Sequence, residues 1–277
     1  MLSGALSLLS TQAGSLIYYL IVLFVLEAGV AIAWGQWRRS RDIWPYSTII
    51  QARVQTIALA AMIGLRALLV VAALIARGSP TGVAWTSPLE RAIDVVSLGL
   101  LAWAFVPALR SRLALSTVLI ATNTLAATVF YLILAALWSN QVALGSVPDP
   151  ADYNLSAQEW IWAIWQIALT AGIVIALAKD RAREAMRSEE RGLLLVAFSG
   201  LLVGYVLHLL ALVGILPYYE APNVPAWTRL GQLIAYPLLV FTIYQGTIAN
   251  LSSKSEELRG LSQTSLEQIR EIGRAHV

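Results

Sequence analysis

The stretch Arg229-Leu-Gly-Gln-Leu-Ile-Ala-Tyr-Pro237-Leu-Leu-Val-Phe-Thr-Ile-Tyr-Gln-Gly-Thr-Ile-Ala249 runs without a clear break into Asn250-Leu-Ser-Ser-Lys-Ser-Glu-Glu-Leu258-Arg-Gly-Leu261. Its first part, 230–249, is long and apolar enough to cross a bilayer as a helix. Its second part is polar but keeps a sparse apolar seam of Leu251, Leu258, Leu261, Ile269 and Ile272. Spacings at or near seven suit a helix paired with a copy of itself. The stretch therefore reads as a membrane span leading into a signalling rod, and a homodimer through that rod is expected. Pro237 removes one backbone hydrogen bond within the span and marks a candidate hinge, with a static bend as the alternative.

Composition places the rest of the chain. Of 277 residues, 58% are hydrophobic and 13% charged, whereas a soluble domain carries about 25% charged residues. Mean hydropathy is +0.70. A multi-pass membrane protein is expected, with the lipid bilayer as its main partner. The net charge of +3 comes from basic residues spread over short loops, so nucleic-acid binding is not expected. There is no cysteine, which excludes disulfides, thiolate metal sites and a cysteine nucleophile. No cleavable signal peptide is evident, because the first basic residue is Arg38.

Hydropathy marks seven spans, at about 15–34, 54–76, 90–109, 113–138, 160–178, 192–216 and 230–249. With the N-terminus outside, fifteen lysines and arginines fall on the inner side. Three fall outside (Arg77, Arg91, Arg229), and Arg66 lies within a span. Basic residues concentrate on cytoplasmic loops, so the expected fold is all-α: a seven-helix membrane bundle, N-terminus out and C-terminus cytoplasmic. The acidic Asp149, Asp152 and Glu159 share an outer loop with no basic residue, which agrees. Tryptophans near span ends, Trp160, Trp162 and Trp165 among them, read as headgroup anchors before ligand contacts. The charged 179–191 segment reads as a solvated extension of the fifth and sixth helices.

Ionisable groups inside spans are costly and mark the bundle interior. Four are singled out: Glu27, Arg66, Asp94 and His208. Similar depth on a helical hairpin suggests a Glu27–Arg66 pair, with Asp94 as competitor for Arg66. Such a pair either fixes helix packing or senses a stimulus. His208 has no second histidine or cysteine near it and suits hydrogen bonding better than metal ligation. Asn123, Gln166, Gln232 and Tyr236 are candidates to share that interior. Gly200 and Gly204 form a GxxxG that permits close helix approach, within the chain or between chains.

No catalytic motif, metal site or cofactor-binding pattern is present, and no cofactor is expected. A retinal Schiff base is excluded, because both lysines, Lys179 and Lys254, lie outside the spans. Pro88-Leu-Glu-Arg-Ala-Ile-Asp94, continuing to Leu101-Ala-Trp103-Ala-Phe105, resembles a stretch in the N-terminal membrane regions of bacterial sensor histidine kinases. The resemblance implies a sensory input region in a bacterial cytoplasmic membrane. It also implies an output region with kinase activity and a response-regulator partner. A small transporter or channel, and a scaffold without a ligand, are the alternatives.

The domains expected are a membrane sensor at 1–249 and a signalling helix at 250–271. The last residues, Ile272-Gly-Arg-Ala-His-Val277, are what ATC GGA AGA GCA CAC GTC encodes, a string matching the start of a common sequencing adapter. They read as a processing scar, with the output domain lying beyond. A natural C-terminus with the same residues is the alternative.

Overall fold

The computed structural model describes residues 4, 6, 8–9, 12–39, 46–76, 78–146, 150–179, 188–215 and 224–275. Seven long helices carry it: α1 Gln12–Arg39, α2 Tyr46–Ala76, α3 Pro80–Phe105, α4 Leu113–Ala143, α5 Ala157–Lys179, α6 Ser188–Leu212 and α7 Val224–Ala275. A single turn, Pro107–Arg110, joins α3 to α4, and a 3₁₀ segment, Pro150–Leu155, precedes α5. Among the described residues there is no strand. Long apolar sequences leave the backbone no water to bond, and a helix satisfies its own N–H and C=O groups.

Six of these helices are long and apolar enough to cross a membrane. The exception is α3, which overlaps the expected third span but starts ten residues earlier, ends at the Val106–Pro107 break within it, and carries Glu90, Arg91 and Asp94. It is long enough, yet it is the most enclosed helix of the bundle, with Trp85 the one exposed large hydrophobic along it. Around it α2, α4 and α5 pack directly, while α1 packs on α2 and α7, and α6 on α5 and α7. The outer face of the bundle is apolar, with Phe24, Ile75 and Leu125 among the most exposed side chains. A surface of that kind suits lipid.

Local signals set the helix ends. Gly78 has φ +91°, a left-handed conformation that glycine adopts without a Cβ clash. It turns the chain between α2 and α3. Ser79 then caps α3, its hydroxyl accepting from the Gly82 N–H at 3.3 Å. At the other end, Pro107 follows Val106 and ends α3.

The α6–α7 contact explains the glycine pair. A Cβ on Gly204 would lie 3.1 Å from the Trp227 carbonyl oxygen and 3.2 Å from Gly231 Cα. Both are backbone atoms, so the two helices meet glycine to glycine within one chain. Gly200 has open space where its Cβ would be. The helix α7 itself continues through Pro237 and past residue 249 without interruption. At ~1.5 Å per residue its 52 residues measure roughly 78 Å.

Gly204→Leu should lower stability by about 1–3 kcal/mol, the usual cost of overpacking. Gly200→Leu should be near neutral. Thermal unfolding of the two variants in detergent checks this, and equal losses at both sites would contradict the glycine contact.

Candidate functional site: a buried polar network

At one end of the bundle the alternating helices bring together the start of α1, the end of α2, the starts of α3, α5 and α7, and the end of α6. Arg66 is ten residues from the end of α2, so it sits roughly 15 Å into the bundle. It is fully buried and forms a close ion pair with Asp94 of α3. Its Nη2 also donates to Tyr236 Oη of α7 at 3.5 Å. Asp94 Oδ1 accepts from Gln232 Nε2 at 3.1 Å. Gln232 in turn accepts from the Tyr18 hydroxyl and lies 3.4 Å from Tyr205 Oη.

A second branch starts one turn earlier on α3. Arg91 Nη1 lies 3.8 Å from the other Asp94 oxygen, and Arg91 Nε lies 2.5 Å from Glu159 Oε1 at the start of α5. Glu159 also meets His208 Nε2 of α6 at 2.9 Å. Arg91 Nη2 donates to Asn154 Oδ1 at 3.0 Å. Beside it Tyr153 is buried, accepting from Trp162 Nε1 at 2.8 Å. Burial and the nearby Glu159 carboxylate push the Tyr153 phenol well up, so it stays neutral. A third branch joins Glu90 to Tyr19 at 2.7 Å and to Arg229 of α7 at 3.3 Å. Arg229 also reaches Ser15 Oγ at 2.6 Å and the Leu9 carbonyl at 2.8 Å, and faces the Tyr18 and Tyr19 rings.

The charges balance: Arg66, Arg91 and Arg229 against Glu90, Asp94 and Glu159. That matters because an unpaired charge in a low-dielectric interior costs several kcal/mol. All the long helices except α4 contribute. Some capacity is unused: Arg66 Nε and Nη1, Glu159 Oε2 and Gln166 Nε2 are buried with no partner among the described residues. Among the described residues no group of three histidines, cysteines or carboxylates has metal-holding geometry.

The structure redistributes several sequence expectations. Glu27 does not meet Arg66. The inward face of α1 is Tyr18, Val22, Leu26 and Ala33, and Glu27, one residue past Leu26, is exposed. Asp94 takes Arg66 instead. Arg91 and Arg229 are not outer-loop cations but interior ones, and Glu159 is not a loop acid. Trp162 and Trp138 are core residues rather than interfacial anchors, while Trp160 is exposed. Trp162 stacks on Trp165 with ring centroids 6.0 Å apart. Asn123 donates to the Val95 carbonyl at 3.1 Å, away from the network. Residues 180–187, the side chains of Leu261, Ile269 and Ile272, and Arg77 lie outside the described residues.

Sequence reading missed Glu90, Arg91, Glu159 and Arg229 because they fall at or just before the starts of the expected spans, where charge normally meets headgroups; Glu90 and Arg91 instead lie in the middle of α3, which starts at Pro80. A signal was present: Arg229, Gln232 and Tyr236 recur at three and four residues, one face of a helix. Comparison with protein families, curated proteins and solved structures finds no match for this chain. The resemblance noted from the α3 stretch rests on its own residues.

Asp94→Asn leaves buried Arg66 without its carboxylate, while Arg91 keeps Glu159, and should cost about 3–5 kcal/mol. Glu27→Gln should stay within about 0.5 kcal/mol of the parent, as at other surface positions. Unfolding of both variants in detergent measures the difference, and a large loss at Glu27 would show that its outward placement is wrong.

Proposed function

We propose that this chain is the membrane-embedded input region of a signal-transduction protein, of the sensor histidine kinase kind that its α3 stretch resembles. It lies in a bacterial cytoplasmic membrane with α3 as a seventh span, N-terminus outside and the α7 extension in the cytoplasm. The supporting observation is the course of α7. One uninterrupted helix holds Arg229, Gln232 and Tyr236 in the polar network and then extends past the apolar region as a rod. A shift in network packing therefore has a rigid route outward. That route would end on an output region acting on a response regulator.

The exposed face of α7 supports pairing with a second copy. Ile234, Pro237, Phe241, Tyr244, Ile248, Leu251, Ser255 and Leu258 are all exposed. They recur in steps of three and four, the spacing of a coiled-coil seam. Lipid can cover the first of these, but Leu251 at 48% and Leu258 at 59% exposure lie in the polar segment. A transporter is the second reading, favoured by the unpartnered buried polar atoms of Arg66 and Glu159, since such groups also line substrate paths.

The chain has no cysteine, so single cysteines report unambiguously. Oxidative cross-linking in membranes should dimerise Leu251→Cys and Leu258→Cys, and Ser253→Cys and Glu256→Cys far less. Adding Tyr18→Phe, which removes one network hydrogen bond to α7, should change the ratio of the two seam products. Uniform or absent cross-linking would remove the paired rod. A pattern indifferent to Tyr18→Phe would remove the coupling and leave transport as the better reading.

A further inference from the structure

At the end of the bundle opposite the network, α4 leans on α3 and stands away from the inner part of α5. A slot of about 520 Å³ opens between α4 and α5, floored by α3. Small residues make it: Gly99 and Ala102 on α3, Ala126 on α4, and Ala168, Gly172 and Ala176 on α5. Trp165 lines its deep end and meets Phe130 edge to face at 5.6 Å. From Trp165 to Ala176 the slot runs roughly 16 Å at ~1.5 Å per residue, about one leaflet of a ~30 Å hydrocarbon core.

The open end is basic. Arg112 lies between two lining residues, Leu109 and Ser116, at the start of α4, and Lys179 is three residues beyond Ala176 at the end of α5. Both are exposed. Inside the slot, the Asn123 amide is already engaged by the Val95 carbonyl, so the walls ask for an apolar occupant.

We propose that this slot holds one acyl chain of an anionic phospholipid, with the phosphate between Arg112 and Lys179. The chain supplies the dispersion contacts that the small residues leave unmade. The two cations select the headgroup, as basic sites between membrane helices do. The site does not depend on the signalling role of the bundle.

Native mass spectrometry of the full chain in mild detergent, with added dioleoyl phosphatidylglycerol or dioleoyl phosphatidylcholine, tests it. One phosphatidylglycerol should be retained per chain, roughly 30-fold in preference to phosphatidylcholine, from about 1 kcal/mol for each of the two basic residues. Arg112→Gln with Lys179→Gln should bring that preference to parity. Gly172→Phe, which enters open space, should abolish retention of both lipids. Gly64→Phe, an equally open and exposed site on α2, should change nothing and controls for folding. Equal retention of the two lipids by the parent chain, or unchanged phosphatidylglycerol binding in Gly172→Phe, would overturn the proposal.

Discussion

Asp94 stands between two guanidinium groups in the interior of the bundle, and the packing of the helices around it follows from that position. Arg66 and Arg91 come to the same carboxylate from α2 and from α3 itself. Neither cation can be left alone in an apolar interior without a cost of several kcal/mol. Any arrangement of these helices must therefore bring α2 against α3 at this depth. Arg91 extends the demand to Glu159 and through it to α5 and His208 of α6. Gln232 extends it to α7 and Tyr18 of α1. Apolar contact between helices in lipid is weakly directional, because lipid tails are as apolar as leucine. Paired charges supply the register that such contact lacks.

Stability alone does not account for the network. An apolar core of equal volume is often as stable as a buried ion cluster or more so. What the polar core adds is discreteness. Each hydrogen bond constrains a rotamer and a helix depth, so a change at one member is transmitted to others rather than absorbed by soft repacking. The edges of Arg66 and Glu159 without a partner among the described residues leave room for a second pattern of bonds. Two patterns of comparable energy are what a switch needs.

Much of the fold was legible in the sequence, and the reason is physical. Twenty or more apolar residues in a row admit few structures other than a helix in lipid, so six of the long helices fall where hydropathy places them, while the charged α3 starts ten residues ahead of its expected span. The continuity of α7 through Pro237 and Ala249 was likewise readable, since a single glycine, Gly246, and no second proline lie in the passage from apolar to polar. Side-chain direction was less legible. Depth along a helix follows from counting residues, but a step of one residue turns the side chain by about 100°. That step separates buried Leu26 from exposed Glu27, and depth counting cannot see it. Arg91, Glu159 and Arg229 were assigned to the headgroup zone by position at the starts of the expected spans, although α3 itself begins at Pro80, eleven residues before Arg91. Their place inside depends on partners far away in sequence, and only the assembled bundle provides them.

The network and the slot meet successive parts of α3: the network its middle, at Glu90, Arg91 and Asp94, and the slot its last turns, at Gly99 and Ala102. Around Glu90, Arg91 and Asp94, α3 is clasped by charged and hydrogen-bonding partners from several helices. Around Gly99 and Ala102 it has small residues, with Asn123 of α4 packed closely on Gly99 and open space beside α5. The middle of the same helix is held by discrete bonds, and its last turns border the slot. A rigid helix couples its turns by geometry, so an acyl chain seated in the slot as proposed would restrict how α3 tilts within its clasp. Lipid composition would then enter the energy balance of the network through α3, with no contact between lipid and network residues. Coupling of this kind follows from differential packing in two arrangements of one element, and its size is bounded by the difference in lipid affinity between them.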